Sequence, residues 1–107
     1  MEAIEFYDLT EDFFEELLGA IEIADKNAEI DAELQDGVLN VTLEDGSEFV
    51  INRHEPTMQI WYSSPETGAS KFEYKDDDWI STDEAKNSLL ELFQEELEKL
   101  CNVSIQI

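Results

Sequence analysis

Glu29-Ile30-Asp31-Ala32-Glu33-Leu34-Gln35-Asp36-Gly37-Val38-Leu39-Asn40-Val41-Thr42-Leu43-Glu44-Asp45-Gly46 is the stretch from which the rest of the chain can be read. Ile30, Ala32 and Leu34 alternate with Glu29, Asp31 and Glu33, and Leu39, Val41 and Leu43 alternate with Asn40 and Thr42. Period two with one apolar and one polar face is the pattern of half-buried strands in an antiparallel sheet. Asp36-Gly37 and Asp45-Gly46 supply the turn residues, and Phe49, Val50 and Ile51 form the returning strand. Toward the C-terminus, a loop over Arg53 to Met58 carries Pro56. A strand follows over Gln59 to Ser63, then a turn from Ser64 to Gly68, a strand from Lys71 to Tyr74, an acidic loop from Asp76 to Asp78 and a short strand at Trp79-Ile80.

On either side of these strands the period lengthens. Phe6, Leu9, Phe13, Leu17, Ala20, Ile21 and Ala24 recur at three- and four-residue steps, which marks an amphipathic first helix with Gly19 inside it. A second helix is expected from Ser81, where Ser81 and Glu84 have capping-box spacing, burying Ala85, Leu89, Phe93, Leu97 and Leu100. The tail Val103 to Ile107 alternates and can lie along the protein. The expected architecture is a single α+β domain over residues 1–107. It is a two-layer sandwich with the N- and C-terminal helices on one face of a five- to six-stranded antiparallel sheet.

With 28 acidic residues against six basic ones the formal net charge is −22. Such a polyanion repels phosphate backbones and anionic lipid, so neither nucleic acid nor a membrane surface is an expected partner. Cations and basic protein surfaces are attracted. The single cysteine, Cys101, allows no internal disulfide and points to a reducing compartment, and neither a run of about 18 apolar residues nor a signal-peptide pattern occurs. An Arg-rich presequence is missing too, either because none is needed or because it has been removed.

The chemistry available is that of carboxylates. His54 is the only histidine and reads as a surface loop residue beside Pro56, so nucleophilic dyads, zinc sites and iron–sulfur ligation lack their ligands. Asp25 to Asp36 is not an EF-hand loop, since Ile30 takes the glycine position. On the first helix Asp8/Asp12, Glu11/Glu15 and Asp12/Glu16 are like-charged pairs four residues apart, each costing roughly 0.2–0.5 kcal/mol. Glu22, Asp25, Glu29, Asp31 and Glu33 extend the stripe. It is either a solvated face or a weak, multiple and exchangeable site for hard cations. Trp61 alternates with Ile60 and Tyr62, which places it on the open face of the sheet with Gln59 and, on the preceding strand, Asn52. There it is either a docking anchor or a residue that the tail or a loop covers.

Asp36-Gly37-Val38-Leu39, Val50-Ile51-Asn52-Arg53 with Glu55-Pro56, Gln59-Ile60-Trp61 with Ser63-Ser64-Pro65, Gly68, Phe72 and Asp78-Trp79-Ile80 occur in the order and spacing of one family. By these motifs the chain resembles the frataxins, including the bacterial CyaY proteins, over nearly its whole length. The resemblance implies a non-catalytic, iron-binding protein of iron–sulfur cluster assembly. It would hold ferrous or ferric iron weakly, with other divalent cations also possible, and modulate a cysteine desulfurase and scaffold complex. Iron oxidation has been ascribed to the family, and because no His and carboxylate di-iron site can be built here any such activity is expected to be slow. Carried over by position, the iron ridge is Glu11, Asp12, Glu15, Glu16, Glu22, Asp25, Glu29 and Asp31, and the partner surface is Asn52, Gln59, Trp61 and Lys71. Leu18, Gly19, Ile23 and Asn27 stand where bacterial relatives often carry acids. A monomer is implied, with oligomerisation on iron left open. The bacterial cytoplasm is the expected location, and the mitochondrial matrix after presequence removal is the alternative. The charge alone also fits another class of protein, an acidic nucleic-acid mimic that inhibits a DNA-binding protein.

Overall fold

Helix α1 (Ala3–Ala24) packs on the sheet through Phe6, Thr10, Phe14, Leu17, Ala20 and Ile21. In this computed structural model, which describes residues 1–107, the buried stripe is rotated from the expected one. Phe14 is fully buried, whereas Leu9 and Phe13 lie at its margin. A polar residue, Thr10, sits at the centre, and its hydroxyl is satisfied by donating to the Phe6 carbonyl at 3.0 Å. Hydropathy alone passes over such a residue.

The strands are β1 (Asp31–Gln35), β2 (Val38–Thr42), β3 (Glu48–His54), β4 (Gln59–Ser64), β5 (Gly68–Lys75) and β6 (Asp78–Ser81). They form one six-stranded antiparallel sheet in sequential order, with α1 and α2 (Leu89–Cys101) on one face, as expected. Leu39, Val41, Phe49, Ile51, Ile60, Tyr62, Phe72 and Trp79 point inward and meet Phe6, Phe14, Leu17, Phe93 and Leu97 from the helices in a single core. Phe49 and Phe93 join the layers edge to face at 5.1 Å.

Several boundaries differ from expectation, among them β5, which begins at Gly68 and not at Lys71. Strand β3 continues through Arg53 to His54, and β4 begins at Gln59. The loop between is one 3-10 turn, Glu55–Thr57, closed by Met58 in the left-handed region. The second helix starts at Ser88, whose side chain accepts from the Glu91 amide, and not at Ser81. Ser81 belongs to β6, where its hydroxyl donates to Asp83 and accepts from the Asn87 amide, each at 2.8 Å. Lys86 has a φ of 52°, which no helix tolerates, so Ala85 lies exposed in a loop, and Leu100 is exposed on α2. The tail returns along α2, with Ile105 buried and its carbonyl accepting from Gln94 Nε2 at 3.2 Å. It covers the helical layer and leaves the open sheet face free.

A buried acid fastens α2 to the sheet. Glu96 accepts from Tyr62 Oη and Ser64 Oγ, each at 2.7 Å, and from Thr67 Oγ1 at 3.0 Å. Burial and then the neighbouring Glu96 push the Tyr62 phenol far above its ordinary value. Three donors satisfy the carboxylate.

Candidate functional site

The register of the sheet assembles the open-face residues. Asn52 of β3 lies opposite Trp61 of β4, which lies opposite Lys71 of β5, and one step along, His54, Gln59 and Glu73 form the adjacent cross-strand row. Because paired residues share a face, one alternation count sets all six outward. Val50, Asn52, Trp61, Ser63, Ser70 and Lys71 border a shallow cavity of about 280 Å³. All four expected partner-surface residues, Asn52, Gln59, Trp61 and Lys71, therefore come together. Trp61 Nε1 donates to Gln59 Oε1 at 3.1 Å, and Lys71 Nζ stands 4.8 Å from the indole centroid.

His54 had been expected to be a loop residue, yet it closes this patch. As the last residue of β3 it shares the outward face of Asn52, and its ring stacks on Trp61 with centroids 3.6 Å apart and planes at 14°. The signal was present in the sequence, since His54 is Asn52 plus two. Pro56, two residues on, masks it by giving Arg53 to Met58 the look of a loop.

Arg53 points the other way, toward α1. Its Nη1 donates to Glu11 Oε1 at 2.9 Å, and the guanidinium lies 4.2 Å from the centre of the Tyr7 ring. Gly37 roofs it. A Cβ at Gly37 would come within 2.8 Å of the guanidinium, and the φ of +77° there independently favours glycine. Glu11, placed in the metal ridge by the sequence, is thus an ion-paired tether between helix and sheet.

The other ridge residues separate by orientation. Glu15 shares with Glu11 the cleft beside Leu34 and Asp36 at the β1 edge, and at 100° per residue Glu22 falls on the same helix face. Asp12 and Glu16 instead border an apolar groove with Phe13, Trp79, Asp77 and Asp78 on the opposite flank of α1. Asp25 caps the helix end, its two carboxylate oxygens accepting from the Glu29 and Ile30 amides at 3.0 and 2.8 Å. Glu29 lies with Glu44 and Asp45 near Cys101, and Asp31 stands on edge strand β1. Burial, then the charges of Asp25, Glu29 and Asp45, push the Cys101 thiol up. Along the α1/β1 edge, Glu15, Glu22, Glu29 and Asp31 have no basic side chain within ion-pair distance. No three carboxylate, imidazole or thiol side chains converge into a ready-made metal centre. The donor set is all oxygen, the chemistry that suits hard cations.

Comparison with known proteins identifies the class. The frataxin-like domain matches residues 1–103, and the chain belongs to the frataxin family, whose general role is in iron handling and iron–sulfur cluster assembly. Frataxin from Psychromonas ingrahamii, studied as a model of stability modulation within the CyaY protein family, superposes with a TM-score of 0.88 at 22% identity, covering 99% of this chain and 97% of that one. Trimeric frataxin from Saccharomyces cerevisiae complexed with ferrous gives 0.76 at 29% identity over 85% of this chain and 83% of that one. The same yeast protein with its full-length N-terminus gives 0.74 at 30% identity, covering 85% and 77%.

Proposed function

We propose that this chain is an iron-binding, non-catalytic regulator of iron–sulfur cluster assembly. It takes ferrous or ferric iron weakly along the α1/β1 edge and docks on a cysteine desulfurase and scaffold complex through the sheet face around Trp61. The observation that carries this reading is the pairing, in one frataxin fold, of a carboxylate edge without ion-pair partners and an outward, hydrogen-bonded Trp61. The likeness to a yeast frataxin complexed with ferrous supports the choice of cargo. Glu15, Glu22, Glu29 and Asp31 are the proposed cation ligands, with Asp12 and Glu16 as a separate, weaker group. Glu11 and Asp25 contribute only if they leave Arg53 and the backbone amides. Other divalent cations would compete for the same oxygens. The edge also presents its charge to a basic partner surface, which long-range attraction would steer into place. We place the protein in the bacterial cytoplasm, with the mitochondrial matrix as the alternative, and as a monomer before iron is added.

The test is anaerobic ferrous titration followed by backbone NMR. Shifts and broadening concentrated on residues 15–31 support the edge as the binding surface, and changes spread evenly over both helices would refute it. In parallel, Trp61→Ala is expected to weaken capture of the desulfurase and scaffold complex about tenfold or more, as for a central aromatic anchor. Unchanged capture would remove the docking half of the proposal.

A further inference from the structure

His54 is the only imidazole in the chain, and its contacts form a closed circuit with Trp61. Thr57 Oγ1 donates to Gln59 Oε1 at 3.0 Å, the same oxygen that accepts from Trp61 Nε1 at 3.1 Å. With the hydroxyl proton so committed, Thr57 Oγ1 accepts at 2.8 Å from His54 Nδ1, which fixes the imidazole as the Nδ1–H tautomer. The ring stack closes the loop. The turn that holds Thr57 is itself pinned, since the Met58 amide donates to the Glu55 carbonyl at 3.0 Å. Lys71 reaches the indole from β5, the strand on the other side of β4, and with an imidazole filling one face at 3.6 Å the ammonium takes the other. Both faces of Trp61 are therefore occupied, and its edge is what remains to meet a partner.

We propose that His54 is the positioning residue of the docking surface: stacked on Trp61 and tied to Gln59 through Thr57, it holds the indole in a single pose before any partner arrives. This deepens the docking reading above and rests on it. An aromatic already immobilised loses little rotamer freedom on binding, whereas a free one must be ordered at the moment of docking.

Fluorescence reads the stack directly. Trp79 is 3% exposed, so acrylamide reports on Trp61. The wild type is expected to show weak acrylamide quenching of Trp61. His54→Ala is expected to raise the quenching constant about twofold or more. His54→Phe, which keeps an aromatic ring at that position, should restore the shielding. For the desulfurase and scaffold complex, His54→Ala should weaken affinity about three- to tenfold, the scale of one immobilised side chain, and His54→Phe should recover it. Wild-type quenching in His54→Ala would overturn the proposal, as would equal affinity of His54→Ala and wild type for a complex that the wild type binds. A wild type that ignores the complex would sink the docking reading instead, and the fluorescence series would still decide whether His54 positions Trp61.

Discussion

The open face around Trp61 and the acidic α1/β1 edge are prepared in opposite ways. The Trp61 indole N–H, the Gln59 carbonyl, the Thr57 hydroxyl and the His54 Nδ1 each have a partner inside the patch. Glu15, Glu22, Glu29 and Asp31 have no ion-pair partner, and the two carboxylates best placed to join them are committed elsewhere, Glu11 to Arg53 and Asp25 to the backbone. One surface is organised in advance and suits a shaped partner. The other keeps mutual repulsion among like charges, which a bound cation would relieve. The comparison shows that a high acidic count does not locate a site, because what matters is which carboxylates the fold leaves uncompensated.

The largest effect separates the two faces of β4. Ile60 is fully buried, so Ile60→Ala should cost about 2–5 kcal/mol, whereas Trp61→Ala next to it should cost under about 1 kcal/mol. Thermal melts check this, and a Trp61→Ala loss as large as that of Ile60→Ala would make Trp61 part of the core. Next, Arg53→Ala removes the charged hydrogen bond to Glu11 and should cost about 1–3 kcal/mol in metal-free buffer. It also returns Glu11 to the edge. The stabilisation gained from millimolar manganese or calcium should therefore be greater in this variant than in wild type, and an equal gain would show that the edge does not extend to Glu11.

A smaller effect is expected at the pair Asp12/Glu16. Glu16→Gln should stabilise the protein by about 0.2–0.5 kcal/mol at low ionic strength, and the gain should fade in 1 M salt. The smallest signal comes from Cys101, which reports on the edge without belonging to it. Its thiol is pushed up by burial and by Asp25, Glu29 and Asp45, so alkylation at pH 8 should be slow in the folded protein and faster once divalent cation screens those charges. Because the folded-state value is raised, the thiol's contribution to stability is present below the ordinary value of 9.0 and is lost as pH rises toward the folded value. The stability of Cys101→Ala, followed by denaturant midpoint, should thus fall less steeply on the alkaline side than that of wild type.

Much of this was legible residue by residue. The alternation of Ile30 to Leu34, Leu39 to Leu43 and Ile60 to Tyr62 gave the sheet, and the same count set Asn52, Gln59 and Trp61 on its open face. The family motifs added Lys71, which the register then placed opposite Trp61. The misreadings share one cause. Ser81 looked like a helix cap because Ser and Glu at that spacing satisfy a helix start, but Ser81 pairs in β6 opposite Phe72. His54 looked like loop because Pro56 is near, but β3 continues to the residue before the turn. Phe13 fits the periodicity as well as the buried Phe14 does, because helix periodicity locates a stripe only to within about one residue and the partner layer selects its centre.

Side-chain alternation, turn chemistry and charge are properties of neighbouring residues, so the strands, the turns, the outward position of Trp61 and the acidic character of the first helix are all written in the chain. Which charges cancel is not. Glu11 meets Arg53 across 42 residues, Glu96 meets Tyr62 across 34, and His54 meets Trp61 only because β3 and β4 pair in one register. Such contacts depend on which elements lie side by side, and packing sets that after local structure has formed. The folded molecule thereby divides a uniform-looking acidic stripe into a tether, a cap and an uncompensated edge, and turns an exposed tryptophan into a held one.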